Sequence, residues 1–231
     1  MGFIADSFRM AISLILSGDR DVVSAVVTSL SVAIWSVLFA SIAGVPLGIA
    51  VALGKFPMKG AVRLLLNSLM AMPTVVIGLL VYGFLSRQGP LGSLGLLFTP
   101  HAIIIGQTIL ATPVICNYTL GAIQGADERI LPTARTLGAS NLQSLFQLAR
   151  EVRFGLIAAI IAGFGRVVSE VGVAMMLGGN IRMYTRTMTT AIALETSKGD
   201  FAIGLALGLI LIVVSLAVNL VLTVAQESHR A

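Results

Sequence analysis

The chain has 231 residues, 57% of them hydrophobic and 11% charged, with a mean hydropathy of +0.99. Soluble domains carry about 25% charged residues, so the composition argues against a water-soluble enzyme. It also argues against disorder, which needs low hydrophobicity and high charge. The net charge of +5 fits basic residues beside anionic headgroups better than a nucleic-acid surface, and the single cysteine, Cys116, cannot form an internal disulfide.

At the N-terminus, Phe3, Ile4, Phe8, Ala11, Ile12 and Ile15 recur at helical spacing, interrupted by Asp6, Arg9, Ser13 and Ser17. The apolar core Met10–Leu16 is too short to cross a bilayer. A signal segment is the alternative, but a basic leader and a small-residue cleavage site are missing. Residues 1–22 are therefore predicted to form an amphipathic interfacial helix.

Five longer apolar stretches follow, near Val26–Leu53, Leu64–Leu85, His101–Ile123, Leu156–Leu177 and Phe201–Ala225. Each matches the ~20 residues a membrane-crossing helix needs, and none alternates as barrel strands do. The expected fold is all-α and integral to the membrane, with five transmembrane helices in a single domain over 1–231. Five crossings put the termini on opposite sides. One side collects Lys55, Lys59, Arg63, Arg129, Arg135, Arg150, Arg153 and Arg230; the other has Arg9, Arg20, Arg87, Arg182, Arg186 and Lys198. The excess favours a cytoplasmic 126–155 loop.

That loop is long for a bundle connection, and it is patterned. Asp127 and Glu128 precede a helical stretch with Pro132 near its first turn. Ser140 is a candidate N-cap for a second helix carrying Leu142, Leu145, Phe146 and Leu148. Gly138, Ala139 and Ser140 between them would let a partner backbone approach closely. Two readings stand on pattern alone: a docking surface, or an amphipathic hairpin resting on the bilayer.

The segment ILPTARTLGASNLQSLFQLAREVRFG at 130–155 resembles the cytoplasmic coupling loop of bacterial ABC-importer permeases. The family pattern there is Glu-Ala-Ala, three residues, then Gly. Gly138 matches the glycine and Ala134 the second alanine, while Pro132 and Thr133 stand in place of Glu and Ala, and Ala149–Arg150 stands where Leu-Pro is usual. FGRVVSEVGVAMMLGGNIR at 164–182 is similar to molybdate and tungstate permeases, with Arg166, Glu170, Gly179 and Asn180 at matching positions, and 184–201 looks most like the tungstate type. The resemblance implies a type I importer-permease architecture in the inner (cytoplasmic) membrane of a bacterium or archaeon. The substrate would be an oxyanion, tungstate before molybdate, moved by alternating access. The implied partners are an ABC ATPase subunit, itself a dimer, docking on Pro132, Thr133, Ala134, Gly138, Ala139 and Ser140; an extracytoplasmic oxyanion-binding protein; a second copy of this chain; and the lipid bilayer. An ATP-independent ion-coupled carrier and a noncatalytic scaffold are the rival readings.

Within the spans, Arg166 and Glu170 share one helical face, and such charges tend to face the bundle interior. They read either as a structural ion pair or, with Ser169, as part of the anion path. Pro73 and Pro113 lie mid-span, where proline removes a backbone hydrogen bond and kinks a helix. Interrupted helices often build transport pathways, and Thr74, Gln107, Thr108, Thr112 and Asn117 are polar residues near these two prolines. Each reads as a packed interhelical hydrogen bond or as path lining. Gly44 with Gly48, and Gly204 with Gly208, give small-residue spacing for close helix contact within the chain or between copies. Arg182 and Arg186 stand on the outer side, to meet an incoming dianion or lipid headgroups. No phosphate-binding G-x-x-x-x-G-K-[ST] loop occurs, so ATP hydrolysis belongs to a separate subunit. His101 and His229 lie far apart with no metal-ligand spacing, and no nucleophile elbow is present. No metal, cofactor or nucleic acid is expected in this chain.

Overall fold

The computed structural model describes the backbone of residues 2–227 and the side-chain surroundings of 4–220; the side chains of Phe3 and of 221–225, and the whole of His229 and Arg230, lie outside what is described. Among the described residues the helices are α1 (Gly2–Leu16), α2 (Arg20–Leu53), α3 (Lys59–Met70), α4 (Thr74–Leu85), α5 (Pro100–Gln124), α6 (Ile130–Thr136), α7 (Asn141–Glu151), α8 (Arg153–Val168), α9 (Gly172–Gly178), α10 (Met188–Lys198) and α11 (Phe201–Glu227).

α2, α5 and α11 are each long and apolar enough to cross a membrane. The second and fourth predicted spans differ from expectation, because neither is one continuous helix. α3 and α4 meet at 94°, and α8 and α9 at 61°. The apolar runs hid both breaks, since hydropathy reports burial and not backbone direction. Pro73 does not kink a helix as expected; it stands as the N-cap of α4, because proline disfavours helical geometry at the preceding Met72. Pro113, by contrast, lies within α5, which runs on past it.

α5 is the central post. Its Ala111 and Ile115 pack with Ala33, Val37 and Ala40 of α2 and with Ala159 and Val167 of α8. Its Ala102 and Leu110 pack with Ile77, Val81 and Leu85 of α4 and with Val173 and Leu177 of α9. Small residues permit this closeness. A Cβ on Gly48 would lie 2.6 Å from the Cys116 carbonyl oxygen and 2.7 Å from Thr119 Cβ, and one on Gly44 would lie 3.0 Å from the Thr112 carbonyl oxygen. This glycine pair therefore joins α2 to α5 within the chain. Gly204 faces Thr196 of α10, and Gly208 faces open space.

α1 ends at Leu16, short of the 1–22 expected, and lies against α11. Ser7 and Ala11 are buried, Ile4, Phe8, Ile12 and Ile15 line one exposed face, and Asp6, Arg9 and Ser13 line another.

Candidate functional site: a projecting helix pair and two adjoining breaks

The 126–155 segment folds as α6 and α7. Asp127 accepts from the Arg129 backbone N–H at 2.9 Å and pairs with its Nε at 3.2 Å, turning the chain into α6. Pro132 sits in the first turn, where its missing N–H has no partner to lose. α6 closes on Gly138 at φ +87°. There the Gly138 N–H donates to Arg135 O and the Ala139 N–H to Ala134 O, each at 3.0 Å, a glycine-dependent helix stop. Gly138 is thus required by its backbone angle, and no atom crowds it. Ser140 caps α7 as expected, and the cap is reciprocal: the Gln143 N–H donates to Ser140 Oγ at 3.3 Å, and the Ser140 N–H donates to Gln143 Oε1 at 2.8 Å.

The structure brings Pro132, Thr133, Ala134, Gly138, Ala139 and Ser140 together on this one turn of chain. The apolar residues of α7 divide: Leu148 is buried, whereas Leu142 and Phe146 are 78% and 73% exposed, close in chain to Leu137 at 83%. A groove of about 570 Å3 between α6 and α7 is lined by Thr133, Ala134, Leu137, Ala139, Gln143 and Gln147, among others. The pair sits at the α2 C-terminus, where Leu53 shares a cavity with Leu131 and Leu148. The α2 N-terminus marks the opposite end of the molecule. There Arg182 makes a bidentate pair with Asp21, at 2.7 and 2.6 Å, and the carboxylate holds the Arg182 guanidinium pKa above its ordinary value.

Between these ends the two helix breaks adjoin. A Cβ on Gly172, the first residue of α9, would lie 2.9 Å from Thr74 Oγ1, at the start of α4, and 3.3 Å from Glu170 Oε1. Glu170 is 4% exposed and serves both halves of its broken helix. Arg166 Nη1 donates to Oε2 at 2.8 Å, and the Val173 N–H donates to Oε1 at 3.1 Å. The expected Arg166–Glu170 pair is therefore present, but at a helix end and not on a continuous face. Ser169 is exposed and its hydroxyl returns to the Gly165 carbonyl at 2.8 Å.

The remaining candidates are spread along α5. Gln107 is buried, accepting from Ser36 Oγ at 3.3 Å and donating to Val167 O at 3.5 Å, so it joins α2, α5 and α8. The Thr108 hydroxyl donates to Ser36 O at 3.4 Å, and that of Thr112 to Thr108 O at 2.7 Å, just before Pro113. Asn117 Nδ2 donates to Asn67 Oδ1 of α3 at 2.7 Å. The structure thus groups Pro73, Thr74, Arg166, Ser169 and Glu170 at the breaks, with Gln107 behind them.

The apolar sequence pattern does not mark Asn67, Ser36 or α10, which falls between the fourth and fifth apolar stretches. α10 had signals: Thr187 and Thr190 form a reciprocal cap, and Gly199 ends the helix at φ +84°. Arg182 and Arg186, expected to meet an anion or headgroups, are also paired within the chain, Arg182 with Asp21 and Arg186 Nη1 with Glu195 at 3.4 Å, and Arg182 keeps most of its side chain exposed.

Comparison with known proteins bears on this arrangement. The model of the family described as binding-protein-dependent transport system inner membrane component matches residues 44–228. The tungstate uptake system permease protein of Campylobacter jejuni is 39% identical over 96% of this chain and 92% of its own length. Its counterpart in Peptoclostridium acidaminophilum is 38% identical over 98% and 100%. A probable anion ABC transporter permease protein of Haloferax volcanii is 40% identical over 85% and 87%. The fold is similar to a chain of the inward-facing MetNI methionine ABC transporter, with a TM-score of 0.75 at 18% identity over 90% of this chain and 95% of that one. With a family match over most of its length and close relatives spanning nearly all of it, the chain belongs to the inner membrane components of binding-protein-dependent transport systems.

Proposed function

We propose that this chain is the membrane-spanning permease subunit of an ATP-driven tungstate importer. It would be one of two copies in the inner membrane of a bacterium or archaeon. Each bent pair counts as one crossing, giving five spans in the type I arrangement within a single domain over 1–231, with α1 at the membrane surface. A separate ABC ATPase dimer docks on the α6–α7 pair through Pro132, Thr133, Ala134, Gly138, Ala139 and Ser140, and an extracytoplasmic binding protein delivers the oxyanion at the opposite end. The substrate passes the adjoining breaks near Pro73, Thr74, Arg166, Ser169 and Glu170. Gln107, Thr112, Pro113 and Asn117 support that path from α5. ATP binding shifts the balance between inward- and outward-open states.

The observation that carries the docking reading is the exposed apolar group Leu137, Leu142 and Phe146 on the α6–α7 pair, whose second helix is capped by Ser140. Contiguous exposed apolar surface marks interaction sites. Gly138→Glu is a poor test, because a side chain is strained at φ +87° whatever docks there. Phe146→Glu leaves the caps intact. It should abolish co-purification with the ATPase while the permease itself stays monodisperse. Normal co-purification and transport would remove the docking assignment. The tungstate reading rests on the relatives' names and on the likeness at 164–201. Calorimetry on the cognate binding protein tests it, with tungstate expected to bind more tightly than molybdate or sulfate. Molybdate is the second reading, supported by more distant relatives such as the molybdenum transport system permease protein of Azotobacter vinelandii, 28% identical over 70% of this chain.

A further inference from the structure

A helix break inside a membrane leaves backbone groups that neither half can satisfy; lipid cannot take them, so protein or a wet cavity must. The α8–α9 break can be followed group by group. Val167 O accepts the Glu170 N–H at 3.1 Å and Gln107 Nε2 at 3.5 Å. The Val173 N–H goes to Glu170 Oε1 at 3.1 Å. The Glu170 carbonyl has its partner from elsewhere in the chain: Thr189 Oγ1 of α10 donates to it at 2.7 Å.

Thr189 is 8% exposed and belongs to a buried hydroxyl chain. Its one proton is committed to Glu170 O, so in the 3.1 Å contact with Thr187 Oγ1 it is the Thr187 hydroxyl that donates. Thr187 in turn caps α10, accepting the Thr190 N–H at 3.3 Å. The next residue, Met188, sends its N–H to Ser29 Oγ of α2 at 2.6 Å and is fully buried. At its far end α10 holds Glu195 between Arg186 and Lys198, at 3.4 and 3.1 Å. Through its first turn α10 is therefore bonded both to the break and to α2.

We propose that Thr189 is a positioning residue for transport: its hydroxyl fixes the α8–α9 break, so that α10 and the break move as one body when the pathway opens. The role is indirect, acting through the Glu170 carbonyl and so through the placement of the Glu170 side chain. Both tests rest on the importer reading, but only the activity test rests on tungstate as the substrate.

The distance test uses the full permease–ATPase complex in lipid nanodiscs, with nitroxides on Val171→Cys and Ser197→Cys, both exposed; buried Cys116 stays unlabelled. With labelled chains diluted in unlabelled ones, the distance within one copy is expected to stay constant within about 2 Å between nucleotide-free and ATP-trapped states. A change of about 5 Å, the size of a one-turn helix shift, would overturn the proposal whatever the substrate is. The activity test compares Thr189→Ala with Thr189→Ser in proteoliposomes. The alanine variant should move about fivefold less tungstate per ATP hydrolysed, and the serine variant should stay within about twofold of wild type. Normal coupling in the alanine variant, or equal loss in the serine variant, would also overturn it. If the alanine variant fails to assemble, the wild-type distance decides.

Discussion

The two helix breaks adjoin in space, yet they are held by opposite means. At Ala71–Pro73 the backbone does the work: the Ala71 N–H reaches back to Asn67 O and Ser68 O, Met72 to Leu69 O, and Val76 to Pro73 O. No side chain caps α4, and Pro73 is exposed. At Ser169–Val171, side chains from α5, α8, α10 and the break itself each take one backbone or charged group, and Glu170 is buried. One bend starts from a missing N–H and steric exclusion, with no side-chain bond across it. The other depends on several residues agreeing across the fold. A bend of the first kind tolerates change at its neighbours, and a bend of the second kind does not.

The largest effect should come from Glu170→Ala. It removes the partner of Arg166, a side chain 29% exposed, and the acceptor of the Val173 N–H together. Breaking a buried pair from one side costs about 3–5 kcal/mol, somewhat less here because Arg166 is partly exposed. The monodisperse yield in detergent should collapse. Glu170→Gln keeps an acceptor for Val173 and should recover part of that yield. Equal yields from wild type and Glu170→Ala would erase the contrast between the breaks.

Next is Gly48→Leu, which acts on the frame behind both breaks. Its side chain has nowhere to go against the Cys116 carbonyl and Thr119, and overpacking of this kind costs about 1–3 kcal/mol. The thermal unfolding midpoint should fall for the whole bundle. If α2 and α5 were held apart elsewhere, the midpoint would not move.

This division explains what the sequence disclosed. The five apolar stretches, the Ser140 cap and the Arg166–Glu170 spacing are local, set by residues within a few positions of one another, and each could be read directly; Gly138 is equally local, but its sequence reading was close approach and its structural role is a helix stop. The α8–α9 break could not, because its partners Gln107 and Thr189 lie 60 and 19 residues away from the groups they satisfy. α10 was passed over for a different reason. Its Thr187-x-x-Thr190 cap and Gly199 stop were legible, but its Thr-rich start and Glu195-x-x-Lys198 end read as polar loop next to spans so apolar. The α3–α4 break falls between these cases: Pro73 marks it in the sequence, but the proline starts α4 instead of kinking a continuous helix.

The smallest effect expected is that of Pro73→Ala, and it is the most direct test of the contrast. The substitution restores an N–H and lifts the restriction on Met72, so it removes the local cause of the bend. The 94° turn has a second cause, however. α4 is packed on α9, where a Cβ on Gly78 would lie 3.2 Å from Met176 Sδ and 3.4 Å from Val173 Cα, and Ile77, Val81 and Leu85 are buried with Val173 and Leu177. Straightening α3 into α4 would forfeit the close packing of three large side chains, which in a bilayer is held by van der Waals contact and not by transfer from water. The gain from an exposed proline replaced by alanine is under about 1 kcal/mol. The bend should therefore persist, with the unfolding midpoint within about 2 °C of wild type and the distance between nitroxides on Leu65→Cys and Leu80→Cys unchanged. A lengthening of that distance would mean that proline alone holds the first break, and that α4 follows the backbone instead of its packing on α9.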